Sequence, residues 1–345
     1  MSRLNANEMD YSTHISFLQI FGILLVVIGH SCYGALIVPW WHTWIYSFHM
    51  PLFMFISGYL LKYSSEKKAS SLFIMSWEKR GVFLWKKVKR LIIPYLVIST
   101  LAFVPKVLMS RFAARPLDFS FSEYARMLIY PWDNAIIFFW FLPTLFLIFV
   151  LVIVFTSTQI GRGKKNFLIW ILFGMLLIHL FNPIKGIKLM NIGGVVSYLF
   201  YFVLGYSCCR WSIFTHLGKY VYIGALSSLI ISILLVFALP VFWGKDVLTA
   251  LVGILLSLYL SKIYVSRDWH FFHHLFGASY AIYLFSWFPQ TASQQVLQGL
   301  THAPWQLTSV LAMITGVYIP WLIYKWIVRH KQERVGRFVA LLTGQ

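Results

Sequence analysis

The sequence predicts an all-α, polytopic membrane bundle of about ten transmembrane helices, and three observations carry that prediction. Hydrophobic residues make up 59% of the 345 positions and charged residues only 11%, a balance no soluble domain of this size needs. Apolar runs close to the length of a spanning helix recur along the whole chain. Lys and Arg also segregate between alternate connecting segments, as expected when positive loops stay on the inner side.

The first span is expected over Ile15–Gly34. The tail before it holds Arg3 against Glu8 and Asp10 and lacks a cleavable-signal pattern, so this span is expected to be retained. The second is placed at Trp44–Leu61, the third at Leu91–Met109 and the fourth at Ile136–Phe155. Phe167–Phe181 is short for a fifth, and Gly193–Cys209, Val221–Val241 and Val247–Tyr264 follow. The ninth, Leu275–Leu297, is interrupted by Pro289, and the tenth is Leu307–Val328. No extramembrane stretch is long enough for a soluble domain. Residues 1–345 therefore read as a single integral-membrane domain, spanning about 15–328, with short N- and C-terminal tails. Cys32, Cys208 and Cys209 are too few for a disulfide framework.

Of the 29 Lys and Arg residues, Lys106, Arg111, Arg115, Arg126, Lys185, Lys188 and Lys245 fall in one set of loops, and all the others in the alternate set. The richer set belongs inside, which puts both termini in the cytoplasm. The net charge of +19 is then explained by cytoplasmic loops. The expected partner is the lipid bilayer of the cell membrane, with no nucleic acid.

Two histidines lie within the apolar stretches. His30 closes Leu24-Leu25-Val26-Val27-Ile28-Gly29-His30, and His49 opens a run from Ser47-Phe48-His49-Met50-Pro51 through Ser57-Gly58-Tyr59-Leu60. With the spans as placed, His30 lies about 22 Å from the inner edge and His49 about 8 Å below the outer edge. In a hydrocarbon core of roughly 30 Å these depths coincide, toward the outer leaflet. An ionisable side chain inside a span marks a functional site by default. The competing reading is imidazole as packing glue between helices, which explains either histidine alone better than it explains the pair.

All ten acidic residues sit in loops, tails or span edges. That excludes an intramembrane carboxylate relay of the proton-coupled kind, and the chain has no Gly-rich phosphate loop for an ATP-driven pump. The remaining intramembrane chemistry suits proton transfer to or from a hydroxyl, with imidazole as the base. Gln19 lies eleven residues before His30, which returns it to the same helix face about 16 Å away. Lys86, Lys87, Lys89 and Arg90 lead into the third span. Such a cluster can orient the helix or bind anionic lipid, or it can cradle ligand phosphates. Asp268-Trp269-His270-Phe271-Phe272-His273-His274 lacks a convincing metal-ligand spacing, and no metal is expected.

Five of these segments together resemble the acyltransferase 3 family of integral-membrane acyltransferases, over about His14 to Val328. They are Ile28-Gly29-His30; the run from Ser47 to Leu60; Lys89-Arg90-Leu91-Ile92-Ile93-Pro94-Tyr95; Phe139-Trp140-Phe141-Leu142; and Gly277-Ala278-Ser279-Tyr280-Ala281-Ile282-Tyr283-Leu284. The resemblance implies a membrane-bound O-acyltransferase that moves an acyl group, usually acetyl, from cytoplasmic acyl-CoA. The acceptor would be a hydroxyl of an envelope glycan or a lipid-linked saccharide. It assigns His30 as general base with His49 assisting, and the basic residues including Arg90 to the coenzyme phosphates. Ser57, Tyr59 or backbone amides would stabilise the oxyanion; a covalent acyl-histidine or acyl-serine relay stays open.

Two positions depart from the family. Gln19 stands where Arg is typical, and it donates hydrogen bonds without supplying charge. Either donor binding is weakened or another residue such as Arg90 supplies that charge. Ser286 stands where the ninth span often carries His. The competing function is a non-enzymatic exporter of polysaccharide or lipid-linked oligosaccharide. A third reading is a membrane sensor or scaffold. Acceptor choice is expected in the loop from Arg111 to Asn134, where Glu123 and Asp133 are candidate sugar contacts.

Overall fold

A computed structural model describes residues 2–32, 38–67, 77–108, 116–155, 165–218, 220–301 and 303–344. Every regular element among them is helical. In chain order they are α1 (Ser2–His30), α2 (Trp40–Tyr46), α3 (His49–Lys67), α4 (Trp77–Lys87), α5 (Ile93–Leu108), α6 (Phe121–Ile129), α7 (Phe141–Phe155) and α8 (Lys165–Leu180). They continue as α9 (Ile192–Arg210), α10 (Ile213–His216), α11 (Val221–Ile233), α12 (Lys245–Ser266), α13 (Ser279–Phe285), α14 (Trp287–Thr301), α15 (Trp305–Arg329) and α16 (Arg334–Leu342). Among the described residues, eight segments are long and apolar enough to cross a membrane.

The two remaining segments of the expected ten are the short one and the interrupted one. The fifth is α8, whose 16 residues rise only about 24 Å. The ninth is split into α13 and α14 at Ser286, which keeps helical angles (φ −59, ψ −33). Pro289 has no N–H to donate to the Phe285 carbonyl, so the ladder loses a bond while the path of the chain stays helical. The expected end of the first span at Gly34 lies outside the described residues, and α1 ends at His30.

Proline spacing also explains two other interruptions. Pro51 lies in the first turn of α3, where a missing N–H costs nothing within the helix. It cannot serve the Ser47 carbonyl four residues back, and the second span breaks at Ser47–Phe48 into α2 and α3. Pro94 cannot serve the Arg90 carbonyl. Between α4 and α5 the chain widens into a π-helical turn over Val88–Ile92, closed by Ile93 N–H to the Val88 carbonyl.

The helices form two compact units. The first comprises Met1–Tyr63 and Tyr201–Tyr324. In it α1 packs against α2, α12 and α13. Leu18, Ile20, Ile23 and Val27 point different ways around α1 and all are buried, as expected of a central helix. Helices α11 and α12 form an antiparallel pair, with α11 leaving Tyr222, Ile223, Leu226 and Ile230 exposed. The second unit comprises Ser64–Phe200 and Lys325–Gln345. There the π turn packs against α7 and α16. Asn134 and Asn191 tie its loops: Asn134 Nδ2 donates to Ser99 Oγ (2.8 Å) and Asn191 Nδ2 to Thr144 Oγ1 (2.7 Å).

Candidate active site

His30 is the last residue of α1, where a helix leaves its final carbonyls without internal partners. Side chains of α14 supply them. Gln290 Nε2 donates to the Val27 carbonyl (2.8 Å) and to Ser31 Oγ (2.9 Å), and Ser31 Oγ donates to the Val27 carbonyl (2.6 Å). One turn further on, Gln294 Nε2 donates to the Ser31 carbonyl (3.3 Å). Both amides are buried. The residues on either side of His30 are thereby fixed by a polar clamp from the ninth span.

His49 is the first residue of α3 and is 3% exposed. The break before it turns the Ile45 carbonyl toward its ring, and His49 Nδ1 lies 2.9 Å from that oxygen. A carbonyl only accepts, so Nδ1 carries the hydrogen and Nε2 carries the lone pair. The break also sets Tyr46 among three imidazoles. Its ring stacks on His42 (centroids 4.0 Å apart), tilts against His49 (4.8 Å) and meets His30 edge-on (5.8 Å). Tyr46 Oη lies 3.3 Å from His30 Nδ1 and 3.4 Å from Nε2. Gly29 makes this approach feasible, because a Cβ there would come within 2.7 Å of Tyr46 Cε2. Trp44 anchors α2 from the other side through Nε1 to Ser232 Oγ of α11 (2.9 Å).

Both histidines of the sequence thus make ring contacts with one tyrosine. The other candidates fall elsewhere. Gln19 is half-buried on α1, three turns before His30. Ser57 and Tyr59 lie eight and ten residues beyond His49 on α3, about 12 and 15 Å by helical rise. Ser57 Oγ donates to the Phe53 carbonyl (2.8 Å), and Tyr59 is buried against Phe55 and Phe214. An oxyanion role for Ser57 therefore requires its hydroxyl to leave Phe53.

The basic candidates belong to the second unit. Lys86, Lys89 and Arg90 are exposed at the end of α4 and in the π turn. Lys87 is half-buried, with its ammonium 3.8 Å from the Phe149 ring centroid of α7, which makes it a packing residue as well as a charge. In the expected acceptor loop, Arg111 and Arg115 lie outside the described residues. Ser120 caps α6 by accepting the Glu123 N–H (3.2 Å), and Asp133 pairs with Arg126 (3.0 Å). His270 lies 3.5 Å from Asp268, both exposed. Among the described residues no group of three or more His, Cys, Asp or Glu gathers as metal ligands.

Sequence reasoning missed Tyr46, Gln290 and Gln294. The two glutamines carried a signal: an i, i+4 amide pair in an apolar span has to find partners on a neighbouring helix. Tyr46 carried little, because an aromatic near a span end reads equally well as an interfacial anchor.

Long apolar helices and no strand among the described residues define a polytopic helical membrane protein. The chain belongs to the acyltransferase 3 family, whose model, an acyltransferase domain, matches residues 13–325. It is a membrane acyltransferase, and the match runs from the start of the first span almost to the end of the tenth. No curated protein and no solved structure matches the chain.

Proposed function

We propose that the protein moves an acyl group, acetyl in the simplest case, from cytoplasmic acyl-CoA to a hydroxyl of an extracytoplasmic or lipid-linked glycan. The observation that carries this is the gathering of His30 and His49 at the end of α1 and the start of α3, in a chain of the acyltransferase 3 family. His30 takes the acceptor proton as the acceptor oxygen attacks the thioester carbonyl. The C–S bond breaks, the coenzyme leaves as thiolate, and the imidazolium returns the proton to it. His49 Nε2 offers a second lone pair to the same reaction. Lys86, Lys89 and Arg90 hold the coenzyme phosphates and take over the charge that Gln19 does not supply, with Lys87 adding to the local field. In this reading the basic face and both termini lie in the cytoplasm and the protein spans the cell membrane, which the excess of Lys and Arg in alternate loops supports.

The test uses inverted membrane vesicles given acetyl-CoA labelled on the acetyl group and loaded with envelope glycan. His30→Ala is compared with wild type at equal protein level. Label should reach the glycan in wild type and fall about 10²–10⁴-fold in the variant, the usual contribution of a general base. Equal transfer in both removes His30 from the mechanism. No transfer, together with no acetyl-CoA binding, rejects the transferase reading in favour of glycan export.

A further inference from the structure

We infer that α16 is a surface-lying helix that docks on anionic lipid at the membrane face where α15 ends. The candidate span α15 reaches Arg329 and α16 begins at Arg334. The four residues between them can extend at most about 14 Å, and they turn back at once. Glu333 N–H donates to the His330 carbonyl (2.9 Å), which a Cβ on Gly336 would overlap. The nine residues of α16 are too few to cross a bilayer. The helix is therefore held beside the end of the span, within reach of lipid headgroups.

Its two sides differ. Gly336, Ala340 and Thr343 are buried, and α16 packs on the π turn and α5. The seat is tight: a Cβ on Gly344 would come within 2.8 Å of the Arg90 carbonyl. At about 100° per residue, Val335, Phe338 and Leu341 cover the opposite side. They are 63%, 60% and 46% exposed. Arg334 stands at the end of this apolar stripe and Arg337 along its edge, both exposed. From Arg329 to Leu342, Arg329, Lys331, Arg334 and Arg337 face one acid, Glu333. An apolar stripe edged by arginine suits acyl chains on one side and headgroup phosphates on the other.

A second observation sets the depth. Helix α4 packs on the same π turn and exposes Trp77 and Trp85. Arg80 lies 4.9 Å from the Trp77 ring centroid, and Lys89 5.6 Å from that of Trp85. Indole beside a cation suits the headgroup level, where one side is apolar and the other wet. The turn that seats α16 thus belongs to the interface as well.

Hydrogen exchange of the full-length protein tests this, in nanodiscs of phosphatidylcholine alone or mixed with phosphatidylglycerol. Amides of Arg334–Leu342 should exchange about tenfold more slowly in the anionic discs. Arg334→Gln with Arg337→Gln should abolish that difference, while α1 and α12 exchange as in wild type. Val335→Ser with Phe338→Ser should speed exchange of α16 in both lipids. Equal exchange of wild type in the two lipids, a difference that survives loss of both arginines, or no effect of the two serines overturns the inference. Protection found only in discs holding two copies assigns the face to a second copy and overturns it too. Acyl transfer is not read, so this outcome is independent of the proposed reaction.

Discussion

At the scale of single residues, the groups that hold His30 are buried amides. Gln290→Leu would leave the Val27 carbonyl without its α14 donor in a site closed to water. Ser31 Oγ still donates to that carbonyl, so the loss is Gln290's two buried hydrogen bonds, each worth about 0.5–1.5 kcal/mol, and the variant should melt several degrees lower in detergent. Gln290→Met, with similar length and no donor, should behave alike. Ser286 makes the opposite case. Ser286 is 1% exposed, and its hydroxyl has no hydrogen-bond partner among the described residues. Ser286→Ala should therefore unfold at or slightly above the wild-type temperature. Residue identity alone pointed to His30 and His49, because imidazole is rare and costly in a span. It could not point to Tyr46, which the helix break at Ser47–Phe48 sets beside both rings.

At the scale of elements, two glycines and three prolines decide how the helices meet. A Cβ on Gly58 of α3 would overlap the Phe202 carbonyl of α9, and one on Gly205 of α9 would overlap the Phe55 carbonyl of α3. The two backbones touch reciprocally, which is why a Ser57-Gly58 pair sits within an otherwise bulky run. Gly58→Ala should destabilise the first unit by several kcal/mol, read as loss of folded protein after extraction. Pro94→Ala restores an N–H for the Arg90 carbonyl and lets the π turn relax toward an α-helix. One residue's worth of rotation, about 100°, would swing Lys89 and Arg90 around the axis. KM for acyl-CoA should rise at least several-fold with kcat little changed. Eight of the ten expected spans are long, apolar helices in the structure, legible in sequence because a bilayer demands length and apolarity. Of the breaks, the one at Pro289 was legible and those at Pro51 and Pro94 were not: Pro105 and Pro320 lie within continuous α5 and α15, whereas Pro51, Pro94 and Pro289 interrupt their spans. Which proline breaks a helix depends on what neighbouring helices offer the freed carbonyl.

At the scale of the whole molecule, the loop charges make an orientation test. A reporter fused after Gln345 should be active only if it is a cytoplasmic type, and one inserted at Lys185 only if it is an extracytoplasmic type; the reverse result inverts the proposed topology. Tail and loop charge was readable without a structure, as was the family, because both are written in short contiguous segments. The clamp on His30 was not, since it joins positions 263 and 259 residues apart. That separation has a consequence for how the protein is made. At about 5–20 residues per second, the ribosome exposes His30 some 13–50 s before it delivers Gln290. Throughout that interval the nascent chain has its first helix inserted with the Val27 carbonyl and Ser31 still lacking their glutamine. A message truncated between His49 and the ninth span would yield a product that carries both histidines yet lacks this clamp, and cellular quality control would meet it with that helix end short of its α14 donors.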